Sequence, residues 1–232
     1  MPKILALDLS LRASGICKPD LSLETFQPET EGDERLDEIA AHVRDLALGV
    51  DLVIMEDLLF MTHKAGQLGM VHGAVRLQLM RKDIRYVVVP SKSMKKYATS
   101  HGNAKKEVVI AHWNKRSGQM VTDNNQADAA WLMAMAKDYY REPLFAVPAA
   151  QRDALQAVPW PELANVRKSV CRECKRTDKD LPPGAVWVAE DLCSVCDVPP
   201  PKVGQTPLGI AQAEGHEDHP DETIDDSGRK SA

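Results

Sequence analysis

Aromatic side chains are scarce: Phe, Trp and Tyr make up 5% of the 232 residues, with three phenylalanines in all. A core must therefore be mainly aliphatic, and a hydrophobic content of 44% in a chain of this length is enough to build one. Long apolar runs are missing too. Stretches such as 52–55 and 87–89 fall far short of the roughly 20 residues that cross a bilayer as a helix, so no membrane partner is expected. No secretion-signal pattern follows the N-terminus, and the expected location is the cytoplasm. Cysteine is sparse as well. Five cysteines without a secretion signal do not suggest a disulfide framework. Nor is there a large excess of one charge: the net value is −5, and residues 199–232 hold seven acids against three bases. The rest of the chain is close to neutral. Nucleic acid then remains open as a partner only through a local basic surface.

What is present is an alternation of strand and helix periods. Residues 3–8, 14–17 and 21–26 read as three short strands with turns between them. Residues 33–48 carry Leu36, Ile39, Ala40, Val43, Leu46 and Ala47 on one helical face. A buried strand over 50–55 ends at Glu56, and a helix over 64–81 contains Gly66, Gly69 and Gly73. Glycine weakens a helix by roughly 1 kcal/mol, so these three suggest close approach of another helix or a ligand. A strand over 84–89 stops at Pro90. Two lysine-rich helices (91–98 and 104–115) and an amphipathic helix over 124–139 follow. This order predicts an α/β fold with a mixed sheet flanked by helices, over residues 1–140. Residues 141–166, with four prolines, read as a linker arm. Residues 167–198 read as a separate metal-binding module, and 199–232 as a disordered acidic tail.

Three acids stand at the ends or starts of these elements: Asp8, Glu56 and Asp128. Each alone is ordinary for a strand end or a helix cap. Together they suit Mg²⁺, which takes oxygen ligands, keeps several waters and needs only a few converging carboxylates. Two such ions about 4 Å apart can activate a water and stabilise the leaving oxygen of a phosphodiester. Lys92, Lys95, Lys96, Lys105 and Lys106 lie close together in sequence. They either neutralise phosphates or form a solvated helix face. His63, His72, His101 and His112 have no metal-ligand spacing and read as structural or loop residues.

The cysteines are more specific. Cys171 and Cys174, then Cys193 and Cys196, form two CxxC pairs 18 residues apart. That spacing fits one structural zinc held by four thiolates, with residues 186–188 as a strand of a zinc ribbon. A segment of this size cannot build a sufficient core alone, so the metal would supply its folding energy.

Several segments in series are similar to the RuvC family of Holliday-junction resolvases. Residues 4–16 (ILALDLSLRASGI) resemble the family's first strand, aspartate and Ser-x-x-x-Ser/Thr-Gly hairpin. Residues 54–60 (IMEDLLF) resemble its second acidic segment, and 66–73 (GQLGMVHG) its Gly-rich helix. Residues 90–96 (PSKSMKK) and 102–108 (GNAKKEV) resemble the basic segment, and 125–130 (NQADAA) the start of the last helix. The resemblance spans residues 3 to about 137. It implies an RNase H-like fold and a Mg²⁺-dependent endonuclease with two ions per site, Mn²⁺ being an alternative. It also implies Asp8, Glu56 and Asp128 as ligands, hydrolysis to a 5′-phosphate and 3′-hydroxyl, and a homodimer acting on four-way DNA junctions.

Some features depart from the family. The position one turn before the last aspartate, an acid or histidine in many relatives, is Asn125 here. Asn125 and Asp123 are both candidates for a fourth ligand. Phe60 either stacks on an unpaired base or packs in the core; the family's aromatic lies one position earlier, at Leu59. The zinc module is not required by the family core, and the bases around its first pair suit DNA or protein contact. Alternatives are a phage-type relative with broader activity on flaps and forks, and a catalytically weak DNA-binding scaffold. An actin-like ATPase also opens on a strand, Asp and hairpin, but needs a second duplicated domain for which this chain is too short.

Overall fold

The computed structural model describes residues 2–57 and 65–163, and the backbone of Trp187–Ala189 and Leu192–Cys193. The three opening strands are β1 (Ile4–Asp8), β2 (Ser14–Cys17) and β3 (Leu23–Phe26), followed by helix α1 (Gly32–Leu46). Next come β4 (Leu52–Glu56), α2 (Ala65–Arg81) and β5 (Tyr86–Val89). Three helices then follow: α3 (Ser91–Thr99), α4 (Lys106–Ser117) and α5 (Asn124–Tyr139). The five strands make one sheet in the order β3-β2-β1-β4-β5. Strands β1, β4 and β5 run parallel, while β2 and β3 are antiparallel additions. This is the mixed α/β sheet that the sequence suggests.

Strand alternation sorts the core into two layers. Ile4 and Ala6 of β1, with Leu52 and Ile54 of β4, face a layer containing Met94, Tyr97, Trp113 and Trp131 from α3, α4 and α5. Leu5, Leu7, Val53 and Met55 face the opposite layer, with Ile39 and Val43 of α1 and Val71, Val75 and Leu79 of α2. The sheet is thus covered on both sides, as its near-continuous apolar strands require. Few aromatics suffice because they are clustered. Trp131 meets Trp113, Tyr97 and Phe145 edge-on, with ring centres 5.4, 6.0 and 5.5 Å apart. Its Nε1–H donates to the carbonyl of Val109 at 3.1 Å.

The stretch expected to act as a linker arm is laid against this body as far as residue 163. It contains a short helix, α6 (Ala149–Arg152), and a 3-10 turn over Asp153–Ala157, with Leu155, Val158 and Leu163 buried. Arg152 reaches the buried carboxylate of Asp138 at 2.7 and 3.0 Å, and Tyr97 donates to the same carboxylate at 3.0 Å. The Trp160 ring stacks on Tyr139, centres 4.6 Å apart. Prolines mark turns in sequence, but the apolar residues between them decide where the chain lies.

The cysteine pairs fall almost wholly outside the described residues, as do Phe60 and the acidic tail. Two strands of that region are described as backbone: β6 (Trp187–Ala189) pairs antiparallel with β7 (Leu192–Cys193). Among the described residues no helix is long and apolar enough to cross a membrane.

Candidate metal centre

Asp8 and Glu56 become neighbours through sheet register. Leu7 of β1 pairs with Met55 of β4, so each acid follows at the carboxyl end of adjacent parallel strands. Such ends are where side chains leave the sheet into open space, which is why sites form there. The third acid, Asp128, is held one turn into α5, which packs across β1 and β2. One carboxylate oxygen from each of Asp8, Glu56 and Asp128 lies within 4.8 Å of the other two.

Two local devices hold this geometry. The loop after Asp8 is clamped by reciprocal hydrogen bonds: Ser14 Oγ donates to the Ser10 carbonyl, and Ser10 N–H donates to Ser14 Oγ, both at 3.0 Å. Gly15 then lets β2 approach the first turn of α5. A Cβ at that position would sit 1.9 Å from the backbone oxygen of Asn125, so no other residue fits without moving the helix.

The electrostatics follow from crowding. Burial, then the charges of Glu56 and Asp128, hold the Asp8 carboxyl well above the ordinary carboxylate range. Asp128 is 8% exposed; its burial and then the charge of Glu56 push its pKa up to about 7. Lys106 opposes the rise at both acids, and Lys95 opposes it at Asp128. Three carboxylates at this distance repel one another unless a proton or a cation joins them. The donor set is all oxygen, which fits a hard divalent ion such as Mg²⁺, and the three acids can hold one.

Asp123 and Asn125 stand outside this group of carboxylates, in other roles. Asp123 caps α5: its carboxylate accepts from Asn125 N–H at 2.8 Å and from Thr25 Oγ1 at 2.5 Å. The Asn125 amide donates to the Ala13 carbonyl at 3.0 Å and accepts from Asn124 at 2.7 Å. Of the five lysines, Lys95 is half-buried beside the acids, while Lys92, Lys96, Lys105 and Lys106 are exposed.

One neighbour of the site is not suggested by sequence spacing. His72, on α2 and 3% exposed, lines a small cavity with Asp8, Leu9, Glu56, Asp57 and Leu68. Burial and the nearby Arg76 hold its pKa down to about 4, against the opposing charge of Asp57, so the ring is neutral at pH 7. A lone histidine in a helix carries no spacing signal.

No protein-family model matches the chain, and no curated protein matches it. Solved structures do. The RuvC structure from Thermus thermophilus covers 60% of this chain and 94% of its own, at 18% identity and a TM-score of 0.49. T. thermophilus RuvC in complex with Holliday junction substrate covers 61% of this chain and 96% of its own, at 18% identity and a TM-score of 0.50. The fold is that of RuvC. Almost the whole of RuvC is therefore represented here, while roughly two fifths of this chain lies outside the shared part.

Proposed function

We propose that this chain is a Mg²⁺-dependent endonuclease that resolves four-way DNA junctions. The convergence of Asp8, Glu56 and Asp128 at the carboxyl edge of a RuvC-fold sheet is the observation that carries this reading. These three side chains would hold two divalent ions, with Mn²⁺ able to replace Mg²⁺. When bound, such ions lower the pKa of a water and offset the charge that builds up on a phosphodiester. The chain's own residues do the rest. The sheet and α5 keep the carboxylates fixed, and Lys95 and Lys106 offset negative charge beside them. With Lys92, Lys96 and Lys105 they offer phosphate contacts, which supply salt-sensitive affinity for DNA. The nearby solved complex of T. thermophilus RuvC with a Holliday junction supports branched DNA as the substrate class.

A homodimer completes the proposal, since a four-way junction presents two equivalent strands to cut. Support comes from α2, where Gly66, Met70, Gly73, Leu77 and Met80 recur at alternating spacings of four and three. Met70, Leu77 and Met80 are 52%, 47% and 65% exposed, and nothing lies within 4 Å of a Cβ built at Gly66 or Gly73. Small and apolar residues at that spacing form a seam suited to a second helix. We also assign Cys171, Cys174, Cys193 and Cys196 to one structural zinc, on the strength of their spacing.

The deciding experiment is cleavage of an end-labelled four-way junction with Mg²⁺ or EDTA, alongside Asp8→Asn, Glu56→Gln and Asp128→Asn. Wild type should cut only with the metal, and each variant should bind the junction yet lose at least about a hundredfold in rate, since each removes a ligand charge with little change of shape. A wild-type chain that binds junctions without cutting them would favour a DNA-binding scaffold. Equal cutting of flaps and forks would favour the broader nuclease.

A further inference from the structure

The Nδ1 atom of His72 is buried and, among the described residues, has no hydrogen-bond partner. A buried polar atom left in that state costs roughly 1–3 kcal/mol, so its retention needs an explanation. Packing alone gives none, because leucine or methionine fills a similar volume in a helix without the cost. The surroundings supply a reason. His72 lines a cavity of about 100 Å³ whose other polar walls are the acids Asp8, Glu56 and Asp57. A neutral imidazole keeps one N–H and one lone pair, whereas ionised carboxylates only accept. Once a cation keeps these acids ionised, the ring is a hydrogen-bond donor on a wall otherwise lined by acceptors. Nδ1 itself is closed to solvent, so the partner it would take is a wall carboxylate turned toward the ring and not a cavity water.

We infer that His72 is a positioning residue for the Asp8–Glu56 pair, giving hydrogen bonds across the shared cavity that fix how these carboxylates meet a divalent ion. Its role is to orient, and it does not enter the cluster of ligands itself: the cluster contains Asp8, Glu56 and Asp128 without it. Groups that hydrogen-bond to metal ligands typically change metal affinity by 10–100-fold when removed. Arg76 is a cationic neighbour of the ring. It lies one turn along α2, with its guanidinium 5.9 Å from the centre of the Tyr86 ring, and disfavours a charged imidazole.

This inference rests on the metal-centre reading, and the test separates the two. Mn²⁺ binding to metal-free, full-length protein is followed by electron paramagnetic resonance for wild type, His72→Leu and His72→Asn, with melting temperature recorded for each. The asparagine amide places a polar atom close to Nδ1, whereas leucine keeps the bulk and removes the polarity. His72→Leu should weaken Mn²⁺ binding about tenfold or more, with a melting temperature no lower than wild type, and His72→Asn should restore most of the affinity. Wild-type affinity in His72→Leu, or equal losses in both variants, would overturn the positioning role. If His72→Leu does not fold, His72→Gln replaces it: its amide reaches toward Nε2, so it should bind more weakly than His72→Asn, and equal binding would overturn the assignment to Nδ1. A wild-type chain that binds no Mn²⁺ would overturn the metal-centre reading, and this inference with it.

Discussion

Gly15 and Asn125 touch through their backbones: a Cβ on residue 15 would lie 1.9 Å from the Asn125 carbonyl oxygen. The contact joins β2 to the first turn of α5, only three residues before Asp128. Gly15→Ala must push the helix away or twist the strand. We expect a loss of about 1–3 kcal/mol, the usual cost of overpacking a well-filled interior, together with weaker divalent-metal binding. Thermal melts and Mn²⁺ titration of the variant would check both, and an unchanged pair of values would remove the contact from any role in the site.

The raised pKa of Asp128 makes a prediction about pH. In the unfolded chain this carboxyl titrates near its ordinary value of 3.8, and in the metal-free fold near 7. Between those values the folded state holds the extra proton, so folding is favoured below the window. That contribution is lost as pH rises through it. Metal-free wild type should therefore lose stability between pH 4 and pH 8 relative to Asp128→Asn, whose residue 128 cannot ionise. The variant should melt several degrees higher than wild type at pH 8, and the gap should close only as pH falls to about 4 and below. A gap independent of pH would contradict the assignment.

Asp123 and Asn125 offer opposite outcomes for the fourth position. The Asp123 carboxylate already caps α5 and bonds Thr25, so Asp123→Ala should cost about 1 kcal/mol of stability, as loss of a helix cap does. If the residue is also a ligand, cleavage by Asp123→Asn should need far more Mg²⁺. Asn125 lies one turn before Asp128 on the same helix, and Asn125→Asp should tighten metal binding if its side chain can turn from Ala13 toward the acids. A Mg²⁺ titration of cleavage by both variants decides, and equal midpoints would place neither residue at the ion.

The four cysteines make a prediction that needs no nuclease assay. Elemental analysis of freshly purified protein should find one zinc per chain, and Cys171→Ser should lose it and become sensitive to protease within residues 167–198. Protein free of zinc would end the ribbon proposal.

The seam on α2 predicts assembly. Wild type should sediment as a dimer at micromolar concentration, and Leu77→Glu should give a folded monomer, because a charge at the centre of an apolar seam loses its water on association. Monomeric wild type would rule the seam out as a dimer contact.

Much of this architecture is legible in the sequence because two signals coincide. Residues 4–8 and 52–56 are apolar runs that each end on an acid, and an apolar run marks a buried strand whose end is exposed. The start of α5 is equally clear, since the helical period read from residue 124 is where the helix begins. His72 is different. Its relation to the acids depends on how α2 crosses the sheet, which no local pattern encodes. The packing of residues 141–163 escapes notice for a similar reason: its prolines are visible as turns, while the contacts of Trp160 with Tyr139 and of Pro161 with Tyr140 exist only in three dimensions.

The parallel pairing of β1 with β4 also has a consequence for timing. Asp8 and Glu56 are brought side by side only after a crossover through α1, and Asp128 joins them after a further 72 residues have been made. During synthesis the early strands can carry two of the carboxylates but never all three. The three-carboxylate cluster is therefore complete only once α5 has been made and packed against the sheet.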